Sequence, residues 1–395
     1  MNKSVMIVSG ARTAIGTFGG SLSGIAPCEL GTRVAAEAIS RAGVEPGEIG
    51  QTVMGNVLHT EPRDMYLSRV AAIGAGVPET SPALTLNRLC GSGLQAVVNA
   101  YEQIVLGNAK VTLAGGAESM SRAGHLVSSA RFGAKMGDVS ATDMMIGALT
   151  DPFGNGHMGI TAENIAGSKG IDRVTQDAFA LESHRRAARA QAEGRFDSQI
   201  LPIEVKQRRE VVSFAKDEMV RESVTLEDLG KLRPAFKKDG SVTAGNASGI
   251  NDGAAALVLA QEDVVSAKGL SPMARIVATG LGGVAPEVMG LGPIPATQQA
   301  LQRAGLSVAE LDAIESNEAF AAQACAVSQG LDMDPEKVNP NGGAIAMGHP
   351  VGASGAIILV KLLYELERTG GRYGLATMCI GGGQGIALVV ENLRR

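Results

Sequence analysis

Short apolar runs broken by glycine alternate with longer helix-patterned stretches along the whole chain. VMIV (5 to 8), ALTLN (83 to 87), VTLAGG (111 to 116) and GAAALVLA (253 to 260) have the length and β-branched content of buried strands. LQAVVNAYEQIVLG (94 to 107) and AIILVKLLYELERTG (356 to 370) instead repeat their apolar residues every three or four positions, as amphipathic helices do. Strands alternating with helices predict an α/β fold with helices covering the sheet.

The same pattern occurs twice. AISRAG (38 to 43) recurs as ALQRAG (300 to 305), 262 positions on, and the same offset carries Ser92-Gly93 onto Ser354-Gly355. Each Ser-Gly pair opens one of the two long helices. VTLAGG also answers ATMCIGG (376 to 382), and NDGAAALVLA (251 to 260) answers GQGIALVV (383 to 390), with small shifts. Each repeat therefore reads strand, helix, strand, strand, helix, strand, strand, as a mostly parallel unit, and the two should pack about a pseudo-twofold axis. A charged, Met- and Gly-rich stretch interrupts only the first repeat. The expected organisation is a first repeat over 1–120 plus 250–270, an inserted loop domain over 121–249 and a second repeat over 271–395.

Composition narrows the function. The 395 residues carry a net charge of −5, which leaves no electrostatic footprint for nucleic acid, and no apolar run is long enough to cross a bilayer. With no signal peptide recognisable at MNKSVMIVSG, the cytoplasm is the expected location. Four cysteines (28, 90, 325, 379) and five histidines (59, 125, 157, 184, 349) are dispersed, without CxxC or HExxH spacing, so neither a disulfide framework nor a metal site is expected.

Cys90 ends the ALTLN strand run and directly precedes Gly91-Ser92-Gly93 and a helix. Free backbone N–H groups and the positive end of the helix dipole favour a thiolate there. A nucleophile and a buried packing thiol are both open on position alone. Duplication brings equivalent strand ends face to face, where α/β sheets bind ligands, and so sets Cys90 opposite His349 in GHPVGASG (348 to 355). Cys379 in CIGGGQG and Asn317 in NEAF also follow strands on what should be the same face. Two cysteines and a histidine without metal or disulfide context suggest a covalent thioester intermediate and a second acid/base.

The motifs NRLCGSGLQA (87 to 96), GGAESMS (115 to 121), GHMGITAEN (156 to 164), RPAF (233 to 236), TAGNASGINDGAAA (243 to 256), NEAFAAQ (317 to 323), NGGAIAMGHPVGASGA (341 to 356) and CIGGGQG (379 to 385) together resemble the thiolases. The likeness runs the whole chain, in the acetyl-CoA acetyltransferase or β-ketothiolase manner. It implies a layered αβαβα fold and reversible Claisen condensation of two acyl-CoA molecules. By that resemblance Cys90 is the acylated nucleophile, His349 its base, and Cys379 the group that handles the α-proton. Asn317, through a water, and His349 would form one oxyanion site; the N–H groups of Cys90 and Gly381 would form another. Coenzyme A, a substrate rather than a bound cofactor, would lie on the inserted domain against His157, Met158, Arg221, Ala244, Ser248 and Phe320. GHMG is similar to short-chain, biosynthetic-type members, and 55 to 69 to β-ketothiolases that accept slightly longer chains. Residues 121 to 145 resemble the loop through which such enzymes form homotetramers, as dimers of dimers.

Three rivals are weaker. Gly91-x-Gly93-x-x-Ala96 fits a dinucleotide fingerprint, but the acidic residue expected about 20 positions on is missing and the motif is not in the first βα unit. A ketoacyl synthase would usually complete its site with a second histidine or a His/Asn pair rather than a second cysteine. A non-catalytic binding protein on this scaffold should have lost Cys90, His349 or Cys379, and all three are present.

Overall fold

The computed structural model describes residues 4–207 and 209–395. Numbering only its principal elements, the first repeat contains β1 (Val5–Thr13), α1 (Pro27–Ala42), β2 (Gln51–Gly55), β3 (Ala83–Leu86), α2 (Ser92–Leu106), β4 (Val111–Ser119) and β5 (Asn251–Gln261). Between β4 and β5 the chain forms α3 (Met158–Lys169), α4 (Arg173–Ala192) and shorter pieces. The second repeat contains β6 (Ala274–Gly283), α5 (Pro293–Ala304), β7 (Ala313–Ser316), α6 (Ala321–Gly330), α7 (Ser354–Thr369), β8 (Tyr373–Ile380) and β9 (Gln384–Asn392).

The strands run in the order β7-β8-β9-β6-β1-β5-β4-β2-β3. The halves meet where Met6 and Ile7 pair with Arg275 and Ala274. Outward from that seam each half has the same order; where β3 would recur in the second, a single parallel bridge joins Ile314 to Val338. The expected mostly parallel units are in fact mixed. β2–β3, β2–β4 and β7–β8 are parallel, whereas β4–β5, β5–β1, β8–β9 and β9–β6 are antiparallel. The reason lies in one link: β8 reaches β9 through only Gly381-Gly382-Gly383, and a turn that short can join only antiparallel neighbours. The first half keeps that pairing although its link is the long insertion.

Helices α1 and α5 end alike because the shared Arg-Ala-Gly places Gly43 and Gly305 in the left-handed region (φ 65° and 67°), which closes a helix without a Cβ clash. Helices α2 and α7 pack on each other between the two halves, while α1 and α5 cover outer faces. Glycine makes that crossing possible. A Cβ on Gly93 would stand 2.7 Å from the Ala356 nitrogen, and one on Gly355 would strike the Leu94 backbone. The two Ser-Gly helix starts are thus in backbone contact, and the loops before them converge.

Candidate active site

Cys90 sits on a tight turn between β3 and α2. Asn87 Oδ1 accepts from the Leu89 N–H (2.9 Å), and Ser92 Oγ accepts from Arg88 N–H (2.8 Å) while donating to the Leu89 carbonyl (2.7 Å). These bonds hold Leu89 at φ 46°, a conformation that costs a non-glycine residue on the order of 1 kcal/mol or more. Gly91 lets the turn press against Ile380 at the end of β8, where any Cβ would overlap the isoleucine side chain. The turn is thereby held beside the β8–β9 hairpin. The backbone N–H of Gly381 faces the Cys90 thiol and acts to lower its pKa.

His349 arrives from the other repeat. Its N–H donates to Asn251 Oδ1 (2.9 Å), its Nδ1 lies 2.6 Å from Ser354 Oγ, and its buried Nε2 has no partner. Glu118, wholly buried at the end of β4, ties the segment after β2 to the His349 loop: it accepts from Val57 N (3.0 Å), Leu58 N (3.0 Å), Asn56 Nδ2 (3.1 Å) and Gly352 N (2.8 Å). Burial pushes its carboxyl up, and the three backbone N–H groups oppose that shift.

Cys90, His349, Gly381, Met158, Ser248 and Phe320 line one cleft, with Val57, Leu89, Ala148, Leu149, Met289, Ala319 and Val351 as its remaining wall. Cys379 is buried just behind, packed with Met158, Met289 and Phe320. His157 caps α3, accepting from Gly159 N–H at Nδ1 (3.1 Å), and its ring stacks on Phe236 at 4.6 Å. The other expected residues fall elsewhere. Asn317 is buried in an adjoining cavity behind His349, both its amide atoms unpartnered. Arg221 and Ala244 are exposed and do not line the cleft; the Arg221 N–H donates to His184 Nδ1 (3.2 Å).

The electrostatics differ from the dipole argument. Burial raises Cys90 to about 11 against the pull of the Gly381 N–H, and lowers His349 to about 4. Both groups are neutral near pH 7, a thiol beside a free imidazole rather than a preformed ion pair. Cys379 is pushed higher still, by burial first and then by the charge of Cys90. Sequence reasoning did not single out Glu118, Asn251 or Met289; Glu118 and Asn251 stood in quoted motifs, but nothing local marked either as a tie between distant loops.

Residues 5–263 match the family described as thiolase, N-terminal domain, and residues 270–392 its C-terminal domain. The chain belongs to the thiolase family. This thiolase is 58% identical to the beta-ketothiolase BktB of Cupriavidus necator and 51% identical to the acetyl-CoA acetyltransferase of Allochromatium vinosum, each over 100% of both chains. Human mitochondrial 3-ketoacyl-CoA thiolase, solved in complex with CoA, superposes with a TM-score of 0.96 at 45% identity, covering 99% of this chain and 98% of that one. The layered α/β architecture expected from the sequence is the fold of these thiolases. Among the described residues no helix is long and apolar enough to cross a membrane.

Proposed function

We propose that this thiolase joins acetyl-CoA to a second short acyl-CoA, giving a 3-ketoacyl-CoA and free CoA, and runs the reverse thiolysis, through an acyl thioester on Cys90. The observation that carries this is the single cleft holding Cys90, His349 and Gly381, with Cys379 immediately behind it. As the Cys90 sulfur attacks the first thioester, its proton passes to His349 Nε2. The departing CoA sulfur takes the proton of Cys379. The resulting Cys379 thiolate removes the α-proton of the second acetyl-CoA, and the enolate carbon attacks the acyl-Cys90 carbonyl. Cys90 leaves as thiolate and recovers its proton from His349, so every group returns to its starting state.

The N–H groups of Cys90 and Gly381 serve as one oxyanion site. His349, with a water held by Asn317, serves as the other; each such donor is typically worth about 10² to 10³ in rate. Coenzyme A lies along residues 121–249, between the repeats at 1–120 plus 250–270 and 271–395, with His157, Met158, Ser248 and Phe320 at the mouth and Arg221 and Ala244 farther out. No metal or resident cofactor takes part.

The apolar wall of Val57, Leu89, Leu149, Met289 and Val351 favours acetyl and slightly longer acyl groups. Two separate apolar faces support a cytoplasmic homotetramer built as a dimer of dimers: the free sheet edge at β3, with Leu84 exposed, and the stretch carrying Phe132 and Met136, 84% and 96% exposed. Mass spectrometry after mixing with acetyl-CoA tests the chemistry. Wild type and Cys379→Ala should gain one acetyl group on Cys90 and Cys90→Ala none, while Cys379→Ala fails to condense; equal labelling of both variants would sink the assignment.

A further inference from the structure

The hydrogen bonds around His349 settle more than its position. Ser354 Oγ lies 2.6 Å from His349 Nδ1 and donates to the Pro350 carbonyl at 2.9 Å. A serine hydroxyl carries one proton. With that proton committed to Pro350, Oγ can only accept from the ring, so Nδ1 bears the hydrogen. The other ring nitrogen, Nε2, then keeps its lone pair; it is buried, unpartnered, and belongs to a side chain lining the Cys90 cleft.

We infer that Ser354 is a positioning residue that selects the Nδ1–H form of His349 and thereby leaves Nε2 as the base facing Cys90. The inference rests on the proposed role of His349 and adds how that role is set. It also accounts for both halves of the cycle. The Nδ1–H···Oγ bond is the same in neutral imidazole and in imidazolium, so the ring need not turn when Nε2 gains the thiol proton. Once protonated, the same Nε2–H points into the cleft as a donor for an enolate oxygen.

Sequence duplication sharpens the argument. Ser92, the counterpart of Ser354, has its hydroxyl bonded to the Leu89 carbonyl and the Arg88 N–H and braces the turn of the nucleophile. One serine position in each repeat therefore fixes one reacting partner. Asn251 holds the His349 backbone but reaches neither ring nitrogen, so it cannot select the tautomer. Ser354 is 3% exposed, which keeps water from competing for Nδ1.

The test is ¹⁵N NMR of histidine-labelled full-length enzyme near pH 7, with His349 assigned by its loss in His349→Asn. Wild type should show a protonated Nδ1 and an unprotonated Nε2; the opposite pattern overturns the inference without needing any Ser354 variant. Ser354→Ala should mix the two forms and slow single-turnover acetylation of Cys90 about 10- to 100-fold at unchanged KM. Ser354→Thr, which keeps the hydroxyl, should recover most of the rate. A Ser354→Ala enzyme with wild-type ring shifts and acetylation rate would also overturn it. Failure of the underlying reading looks different: His349→Asn would acetylate Cys90 at the wild-type rate while the ring of wild type still shows Nδ1–H.

Discussion

Glu118→Gln tests the tie between the two repeats. Although burial pushes Glu118 up to about 8, four donors, two on each oxygen, leave neither oxygen a lone pair free for a proton of its own and hold the group as a carboxylate: Val57 and Gly352 N–H on Oε2, Leu58 N–H and Asn56 Nδ2 on Oε1. An amide keeps one oxygen. It should stay with Val57 and Gly352, because on the other side Asn56 can turn its buried, unpartnered Oδ1 toward the new NH₂. That turn gives up the bond from Asn56 Nδ2 to the Ala117 carbonyl (2.9 Å) and leaves the Leu58 N–H facing a donor. A bond to a charged acceptor is worth about 1.5–3 kcal/mol and a neutral one about 0.5–1.5, so the substitution should cost about 2–4 kcal/mol. Urea denaturation at fixed protein concentration measures it, with an unchanged m-value showing that the midpoint reports stability. Because Gly352 keeps its partner, acetylation of Cys90 should fall far less than in Glu118→Ala, which releases all four donors. A Glu118→Gln protein within about 0.5 kcal/mol of wild type, the ordinary scatter of surface changes, would refute the accounting.

Gly93→Ala should destabilise by at least about 1–3 kcal/mol, because its Cβ meets the backbone of α7, 2.7 Å from Ala356 N, which cannot swing aside; a thermal midpoint equal to wild type would count against the close crossing. Gly381→Ala should slow acetylation while leaving the urea midpoint nearly unchanged, since its Cβ meets only the flexible ends of Met158 (2.7 Å) and Leu89 (3.1 Å) inside the cleft. Burial lowers His349 from 6.5 to about 4, so the acid limb of kcat/KM for acylation belongs near pH 4, and a limb near 6.5 would contradict it. The sign for stability follows from the same shift: between about pH 6.5 and 4 the unfolded chain binds the proton that the folded ring refuses, so this group's contribution falls as pH is lowered through that window.

The repeat was readable because Arg-Ala-Gly and Ser-Gly mark local backbone needs, a left-handed helix end and a close helix crossing, which leave direct traces in residue type. Most of the strands and helices of each half followed from periodicity, but in both halves a helix (Leu67–Gly74 and α6) follows the second strand where none was expected, and the third strand of the second half is reduced to the Ile314–Val338 bridge. Strand direction did not follow: the kinship of β4 and β5 with β8 and β9 was visible in the repeat, but direction depends on how far apart consecutive strands lie along the chain, and the alternation of strands with helices suggested parallel units where the three-glycine link requires a hairpin. In the site, Cys90 and His349 were found from glycine-rich turns before the two Ser-Gly helices, and their meeting in one cleft followed from the duplication, whereas Gly381 came only with the resemblance to thiolases. A helix start that favours a Cys90 thiolate is visible in sequence, whereas the burial that opposes it is not. Glu118 and Asn251 act through bonds to distant loops, and no periodicity or spacing records such partners.

One junction has been put to two uses. After its third strand, β8, the second repeat turns back through three glycines, whose first residue presents its N–H to the reacting sulfur. At the same point the first repeat opens to admit the long excursion that brings Met158 and Ser248 over the cleft. The Gly381 turn and the cleft-covering excursion thus hang from matching places on opposite halves of one frame, and on the proposed function the first serves bond-making and the second the grip on coenzyme A. The grip can be lengthened, shortened or exchanged without redrawing the strands that hold the sulfur and the imidazole, which makes the stretch between Ser119 and Asn251 the natural place to graft a new choice of substrate onto unchanged chemistry.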